Sequence, residues 1–421
     1  MPEAMTPTMS VDEILHRLFN TPEGRADPYP LYRALQGAPP VFRSERDGLW
    51  YTCRHELCHQ LLLDQRMGHN EEQVLLRPGG MGEEQKRRLD ELLARRRRRG
   101  LSMVTENPPA HTRLRRLVSK AFTFRRVESL RPRIVELVDG YLDRFAADNE
   151  VDVMTELAFP LPVSVIGDLL GVPPEDREHF RSLVRDTTSL GDQPEVPQEE
   201  LDRAEASLEE MERYFTDLIA RRRAHPRDDL LSALIAVRDE DEGALSEDEL
   251  LGLAFVLFLA GFITTTNLIG NGLLALLRHP DEMQRLWADG GLVGPAVEEM
   301  LRYDAPIQVL RRDALVPIEI EGASLAPGEA LILMLGAANR DPRRFPHPDR
   351  FDVGRADNHH LSFGSGIHHC LGAPLARAEG QAVFGRLRQR FARLDLLDPE
   401  PPLDRGFFRG RTSLTIAAHL R

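Results

Sequence analysis

The residues whose types and spacing point most directly to chemistry are Phe363-Gly364-Ser365-Gly366-Ile367-His368-His369-Cys370-Leu371-Gly372. A glycine-rich loop delivers one cysteine to the start of a helix that runs to about Phe391. A helix N-terminus presents free amide hydrogens and a positive dipole end, which stabilise a thiolate. Gly364 and Gly366 would let the backbone pass close to a flat cofactor, and Gly372 would keep bulk away from the same surface. A thiolate on iron favours O–O cleavage. The alternative, a small core residue, is retained for Cys53 and Cys58. A second alternative is a metal site from His359, His360, His368 and His369. It lacks helical HxxxH spacing and a nearby carboxylate pair.

Other constellations are weaker when taken singly. Glu299 and Arg302 stand three apart on one helix face, a pair common on surfaces and worth only a few tenths of a kcal/mol there. Leu259-Ala260-Gly261-Phe262-Ile263-Thr264-Thr265-Thr266 lies within an apolar run, where threonines can bond back to a carbonyl one turn earlier. Arg95 to Arg99 reads first as a solvated helix face.

These residues need positioning elements. Leu250 to Leu277 carries no charge over 28 residues, long enough to span a bilayer. Its threonines, asparagines and scattered glycines, and the capping box Ser246-Glu247-Asp248-Glu249, argue instead for a buried helix about 40 Å long. Val127 to Phe145 and Leu201 to Arg223 show helical periodicity. Pro173 to Asp176 and Pro194 to Glu200 read as loops. Leu49 to Thr52 and Val316 to Leu335 read as strands, and Phe407 to Ala418 as a short terminal hairpin. The expected fold class is mainly α with small β-sheets (α+β), in one domain over residues 1–421 with a more β-rich N-terminal part.

Composition narrows the class. Lys plus Arg is 54 and Asp plus Glu is 67, a formal charge of -13, which speaks against nucleic acid as the main partner. Three unpaired cysteines and no charged-then-apolar leader over Met1 to Asn20 lead to the expectation of a reducing, cytoplasmic setting without a membrane anchor.

The cysteine loop resembles the haem-binding signature F-G-x-G-x-H-x-C-x-G of the cytochrome P-450 family, with every fixed position matched. The likeness runs from about Asp27-Pro28-Tyr29 to the C-terminus and is closest to soluble bacterial members that take electrons from a ferredoxin. It implies the family's fold, with haem b between the long central helix and the cysteine helix, and Cys370 as axial ligand beside Phe363, Gly364 and Gly372. Glu299-Met300-Leu301-Arg302 resembles the ExxR element, and Pro348-Asp349-Arg350-Phe351 its partner, so Glu299, Arg302 and Arg350 are expected in a buried ionic cluster. Asn107 to Arg115 resembles D-P-P-E-H-T-R-L-R, with Asn107 and Ala110 where acids are usual. By that likeness His111, Arg115, Arg312 and His368 would hold the haem propionates.

The central run resembles A-G-x-[DE]-T-[ST]. There Ala260 and Gly261 would loosen the helix for O2, and Thr264 would support oxygen chemistry. Ile263 occupies the place of the acid that feeds protons inward. Pocket walls are expected from Met103, Val104, Leu259, Ile263, Ile307, Val309, Leu310 and Phe408. The implied activity is a monooxygenase acting on a hydrophobic small molecule, a secondary-metabolite intermediate, with O2 and electrons from NAD(P)H through a reductase and ferredoxin. The ferredoxin would dock on the cysteine side, with Arg113 and Arg116 as candidates, and a carrier protein is a further candidate partner. The expected state is a monomer. Ile263 keeps two alternatives open: an atypical oxidation (aryl coupling, nitration or a peroxide-driven step) or a non-catalytic haem-binding partner protein.

Overall fold

The computed structural model describes residues 9–70, 87, 103–147, 150–188, 197–240, 245–403 and 408–421. The arginine run at 95–99 lies outside them. The charge-free segment forms the central helix, Glu247–Arg278, with the Ser246/Glu249 capping box in place. It is long and apolar enough to cross a membrane, yet 72% of its most apolar window is buried inside the protein. Helices Pro160–Leu170, Gln198–Ala224, Val293–Tyr303 and Ala373–Arg390 pack around it. They bury one apolar core that includes Phe258, Phe262, Leu273, Met300 and Phe384.

The strands are β1 (Phe42–Arg43), β2 (Trp50–Thr52), β3 (Met67–Gly68), β4 (Glu150–Asp152), β5 (Leu310–Ala314), β6 (Ile318–Ile320), β7 (Ala323–Leu325), β8 (Ala330–Leu333), β9 (Phe391–Leu396) and β10 (Thr415–Leu420). A five-stranded sheet has the order β1-β2-β8-β5-β3. Only its β2–β8 pairing is parallel. The early strands therefore do not form a unit of their own; they complete a sheet with residues 310–333.

Two local expectations are corrected. In the described part of the expected terminal hairpin, 408–418, β10 pairs antiparallel with both β9 and β4, and Leu403 bridges Arg411; Phe407 lies outside the described residues. The proline clusters begin helices as much as loops. Pro174 opens one helix, and Pro197 precedes Gln198, the start of another. Proline's fixed φ suits a first helical turn.

Candidate active site

The cysteine loop folds tightly. The Cys370 amide donates to Phe363 O at 2.9 Å. Gly364 and Gly366 both have positive φ, 66° and 70°. At Gly366 a side chain would also meet Leu62 O at 2.4 Å, so packing on helix His55–Leu63 demands glycine there. Cys370 is the exposed cysteine, whereas Cys53 and Cys58 are buried. Although its thiol faces a cavity, surrounding protein pushes its pKa up by burial. The amides of Gly372 and Ala373 and the charges of Arg115 and Arg377 pull the other way.

That cavity, of about 380 Å³, brings Cys370, Phe363, Gly364 and Gly372 onto one wall with Ala260, Gly261, Thr264, Thr265 and Leu268 of the central helix. Val104, Ile307 and Leu310 also line it, as expected. Met103, Leu259, Ile263, Val309 and Phe408 are not among its described lining residues. Helical phase explains two of these corrections. Positions 260, 261, 264, 265 and 268 share one face at about 100° per residue, which turns 259 and 263 to the opposite side. Leu259 and Ile263 pack against the main core, and Phe262 packs edge-on to Phe159 and Phe258. Met103 is in the same core, and Val309 packs with Ile332 and Met334. The segment that elsewhere carries an acid is here a packing surface.

The central helix continues through residues 260–264. Gly261 permits close approach of helix Pro160–Leu170, since an added Cβ would lie 3.0 Å from Ile166. The Thr264 hydroxyl donates to Ala260 O at 3.1 Å, as Thr265 does to Gly261 O at 3.2 Å. The back-bonding open to these threonines is thus made by Thr264 and Thr265, while Thr266 Oγ1 is buried without a partner among the described residues. With its hydrogen engaged, Thr264 Oγ1 retains acceptor capacity.

Arginine and histidine side chains converge at one side. Arg312 is buried, donates to Arg311 O and lies 3.3 Å from His69 Nε2. The His368 ring lies 4.2 Å from His111 and 5.2 Å from His69, centroid to centroid. Arg115 donates to His369 O at 2.8 Å. Among the described residues neither Arg115 nor Arg312 has a carboxylate within ion-pair distance. Both ring nitrogens of His111 are buried without partners. Burial first, then Arg312, His111, His69 and Arg115, lower the His368 pKa to about 2. Burial, Arg312, Arg311 and His111 lower that of His69 to about 3. Arg312 falls to about 10 by burial, partly offset by Asp313. A cluster of this kind is improved by an anion, which would accept its hydrogen bonds and reverse these shifts.

Asn107 accounts for its own departure from the usual acid. Its amide accepts from the His69 N–H at 3.0 Å and donates to His69 O at 2.7 Å. An ionised carboxylate has no hydrogen to donate. His69 itself carries no motif and was not legible in the sequence.

Behind the loop, the Glu299 and Arg302 side chains are fully buried. Arg302 places all five N–H groups: two on Glu299, at 2.8 and 2.9 Å, and three on Asn339 O, Pro348 O and Arg350 O. Glu299 also accepts from the Asp352 amide, Asn358 and Arg355. The expected third member is corrected: the Arg355 guanidinium joins Glu299 at 3.0 Å. The Arg350 side chain is 62% exposed and lies 3.8 Å from Glu282. Only the Arg350 carbonyl faces inward. The cluster reaches the cysteine loop through Asn339, which donates to Ser362 Oγ, the residue before Phe363; that hydroxyl donates to Leu301 O.

Comparison with known proteins agrees with this geometry. The family model for Cytochrome P450 matches residues 80–289 and 292–414. Cytochrome P450 monooxygenase PikC of Streptomyces venezuelae is 40% identical over 371 residues, 87% of this chain and 84% of that protein. Among solved structures, P450BioI in complex with hexadec-9Z-enoic acid ligated Acyl Carrier Protein has a TM-score of 0.83 and 34% identity, over 94% of this chain and 100% of that one. Myxobacterial cytochrome P450 CYP267B1 in complex with myristic acid has a TM-score of 0.85 and 38% identity, over 96% and 99%.

Proposed function

The chain belongs to the cytochrome P450 family, and from that premise we propose that it inserts one oxygen atom of O2 into a hydrophobic small molecule, an intermediate of secondary metabolism. The observation that carries this reading is that Cys370 and Thr264 line one largely apolar cavity, together with Arg312, which has no carboxylate partner among the described residues. Those residues fit haem b. Cys370 would ligate the iron, and Arg312, His368, His111 and Arg115, with His69, would hold the propionates. Haem held through a thiolate supplies O2 activation.

The remaining work falls to side chains. Phe363, Gly364 and Gly372 shape the cysteine wall. Thr264 Oγ1 accepts a hydrogen bond from a proton-carrying water. Val104, Ile307, Leu310 and Leu268 exclude bulk water and orient an apolar substrate by shape. Glu299, Arg302 and Arg355 hold the loop and take no part in the chemistry.

A ferredoxin would deliver electrons from NAD(P)H on the cysteine side, in the cytoplasm. Exposed Arg116 and Ile367 are available for that contact. Arg113 is less so, being paired with Glu249. The fatty-acyl ligands named with two related structures support testing a free acid and a carrier-bound acyl chain as substrates.

The test is the optical spectrum of the reduced protein under carbon monoxide. A strongly red-shifted Soret band is expected. A band of histidine-ligated type in intact protein would overturn the haem-thiolate reading. A low- to high-spin shift across a compound panel then identifies the substrate.

A further inference from the structure

A second cavity, of about 530 Å³, lies on the outer side of the cysteine loop, where Phe363 and His369 meet Glu298, His360 and Arg377. Arg377 is on the second turn of the cysteine helix. Its guanidinium carbon lies 4.6 Å from the centre of the Phe363 ring. Its Nε and one terminal N–H donate to the two oxygens of Glu298, at 2.8 and 2.9 Å. His360 Nδ1 accepts from the amide of Ser362, the residue before Phe363, so its Nε2 carries the hydrogen and donates to Glu298 at 3.2 Å. The Phe363 carbonyl in turn accepts from the Cys370 amide. Neither Glu298 nor Arg377 belongs to the motifs that mark the cofactor site, yet the pair is fixed against the stretch of chain that carries the sulfur. Burial raises the pKa of the Cys370 thiol, and the Arg377 charge works against it.

With side chains 34% and 26% exposed, the pair adds little to stability. Its field at the cofactor is a separate matter. Reduction takes one electron from the ferredoxin-class donor, and no bond forms or breaks. The added negative charge is favoured by a fixed cation nearby and opposed by a fixed anion. We infer that Arg377 raises the reduction potential of the thiolate-held haem, and that Glu298 sets how much of that charge the cofactor feels. The inference rests on the haem-thiolate reading above.

The experiment is a spectroelectrochemical titration of the haem-loaded protein, comparing wild type, Arg377→Gln, Arg377→Lys and Glu298→Gln. Arg377→Gln should lower the equilibrium constant for one-electron reduction about fivefold, as for a unit charge partly screened by solvent. Glu298→Gln should raise it about threefold. Arg377→Lys keeps the charge and loses the planar fork, and should stay near wild type. The infrared stretch of bound carbon monoxide should fall in Arg377→Gln and rise in Glu298→Gln, as the sulfur donates more or less to the iron. Shifts of one sign in both glutamine variants, or no shift, overturn the inference, since a pair that only props the loop has no reason to give opposite signs. So does a lysine variant as low as Arg377→Gln. Should Arg377→Gln fail to take up haem, Glu298→Gln decides alone, and absence of a rise there overturns the inference. Loss of the red-shifted carbon monoxide band in wild type would instead strike the haem-thiolate reading.

Discussion

Two clusters of buried polar groups flank the cysteine loop and are built on opposite principles. Around Glu299, each Arg302 hydrogen has an acceptor and the carboxylate accepts from four partners. Around the cavity, both His111 ring nitrogens and Glu379 Oε2 have none, and among the described residues no carboxylate pairs with Arg312. Buried polar groups are nearly always satisfied. A fully paired network is a scaffold that needs nothing more. An unpaired one, next to a cavity, is built for something that enters. The contrast separates structural charge from functional charge more cleanly than burial does, since Arg302 and Arg312 are both buried.

The largest effect should come from Cys370→Ala. The red-shifted carbon monoxide band should disappear completely while the far-ultraviolet helical signal remains. Retention of the band would break the assignment of the cavity.

Glu299→Ala comes next. It strands Arg302 and Arg355 in the interior and should cost about 3–5 kcal/mol in urea unfolding, with loss of haem loading. Its companion sharpens the corrected cluster: Arg350→Ala should change stability by about 0.5 kcal/mol or less, and Arg355→Ala by clearly more. Equal effects would return Arg350 to the network.

On the cavity side the sign should reverse between forms. Arg312→Gln removes a cation that burial penalises, so the haem-free protein should be as stable as wild type or more so. Haem dissociation should be about tenfold faster, the loss of one charge-assisted hydrogen bond. Equal destabilisation of both forms would make Arg312 scaffold after all.

A further effect concerns acid stability. Burial raises the Glu298 pKa, but hydrogen bonds from His360 and Arg377 outweigh it and hold it at about 2, below its ordinary 4.5. A carboxylate depressed in the folded state stabilises above its unfolded pKa, and that contribution is lost as pH falls through the folded one. Glu298→Gln should therefore lower stability at pH 7 by about 1 kcal/mol, screened by solvent. It should also flatten the pH dependence between about 4.5 and 2, read by urea midpoints.

Much of this contrast was legible in the chain. The loop from Phe363 to Gly372 and the capped central helix depend on short-range patterns: turn glycines, a cap, and a run of apolar residues. The spacing of Glu299 and Arg302 placed them on one face, and the family likeness placed His111, Arg115, Arg312 and His368 together. What stayed hidden depends on contacts far apart in sequence. His69, held at its backbone by Asn107, meets Arg312 and His368 directly, and no local pattern marks it.

The sequence by itself determined that a cysteine is offered at a helix start, that one long apolar helix is internal, and which cations accompany them. Those features follow from bonding within a few residues. Tertiary structure decided that Arg355 rather than Arg350 completes the Glu299 cluster, and that β10 pairs with β4 and β9. It also set the rotation of the central helix, turning Thr264 to the cavity and leaving Ile263 and Leu259, both half-buried, packed against the core. The reason is geometric: helical periodicity sets which residues share a face, but only packing against neighbouring elements sets the direction in which that face points.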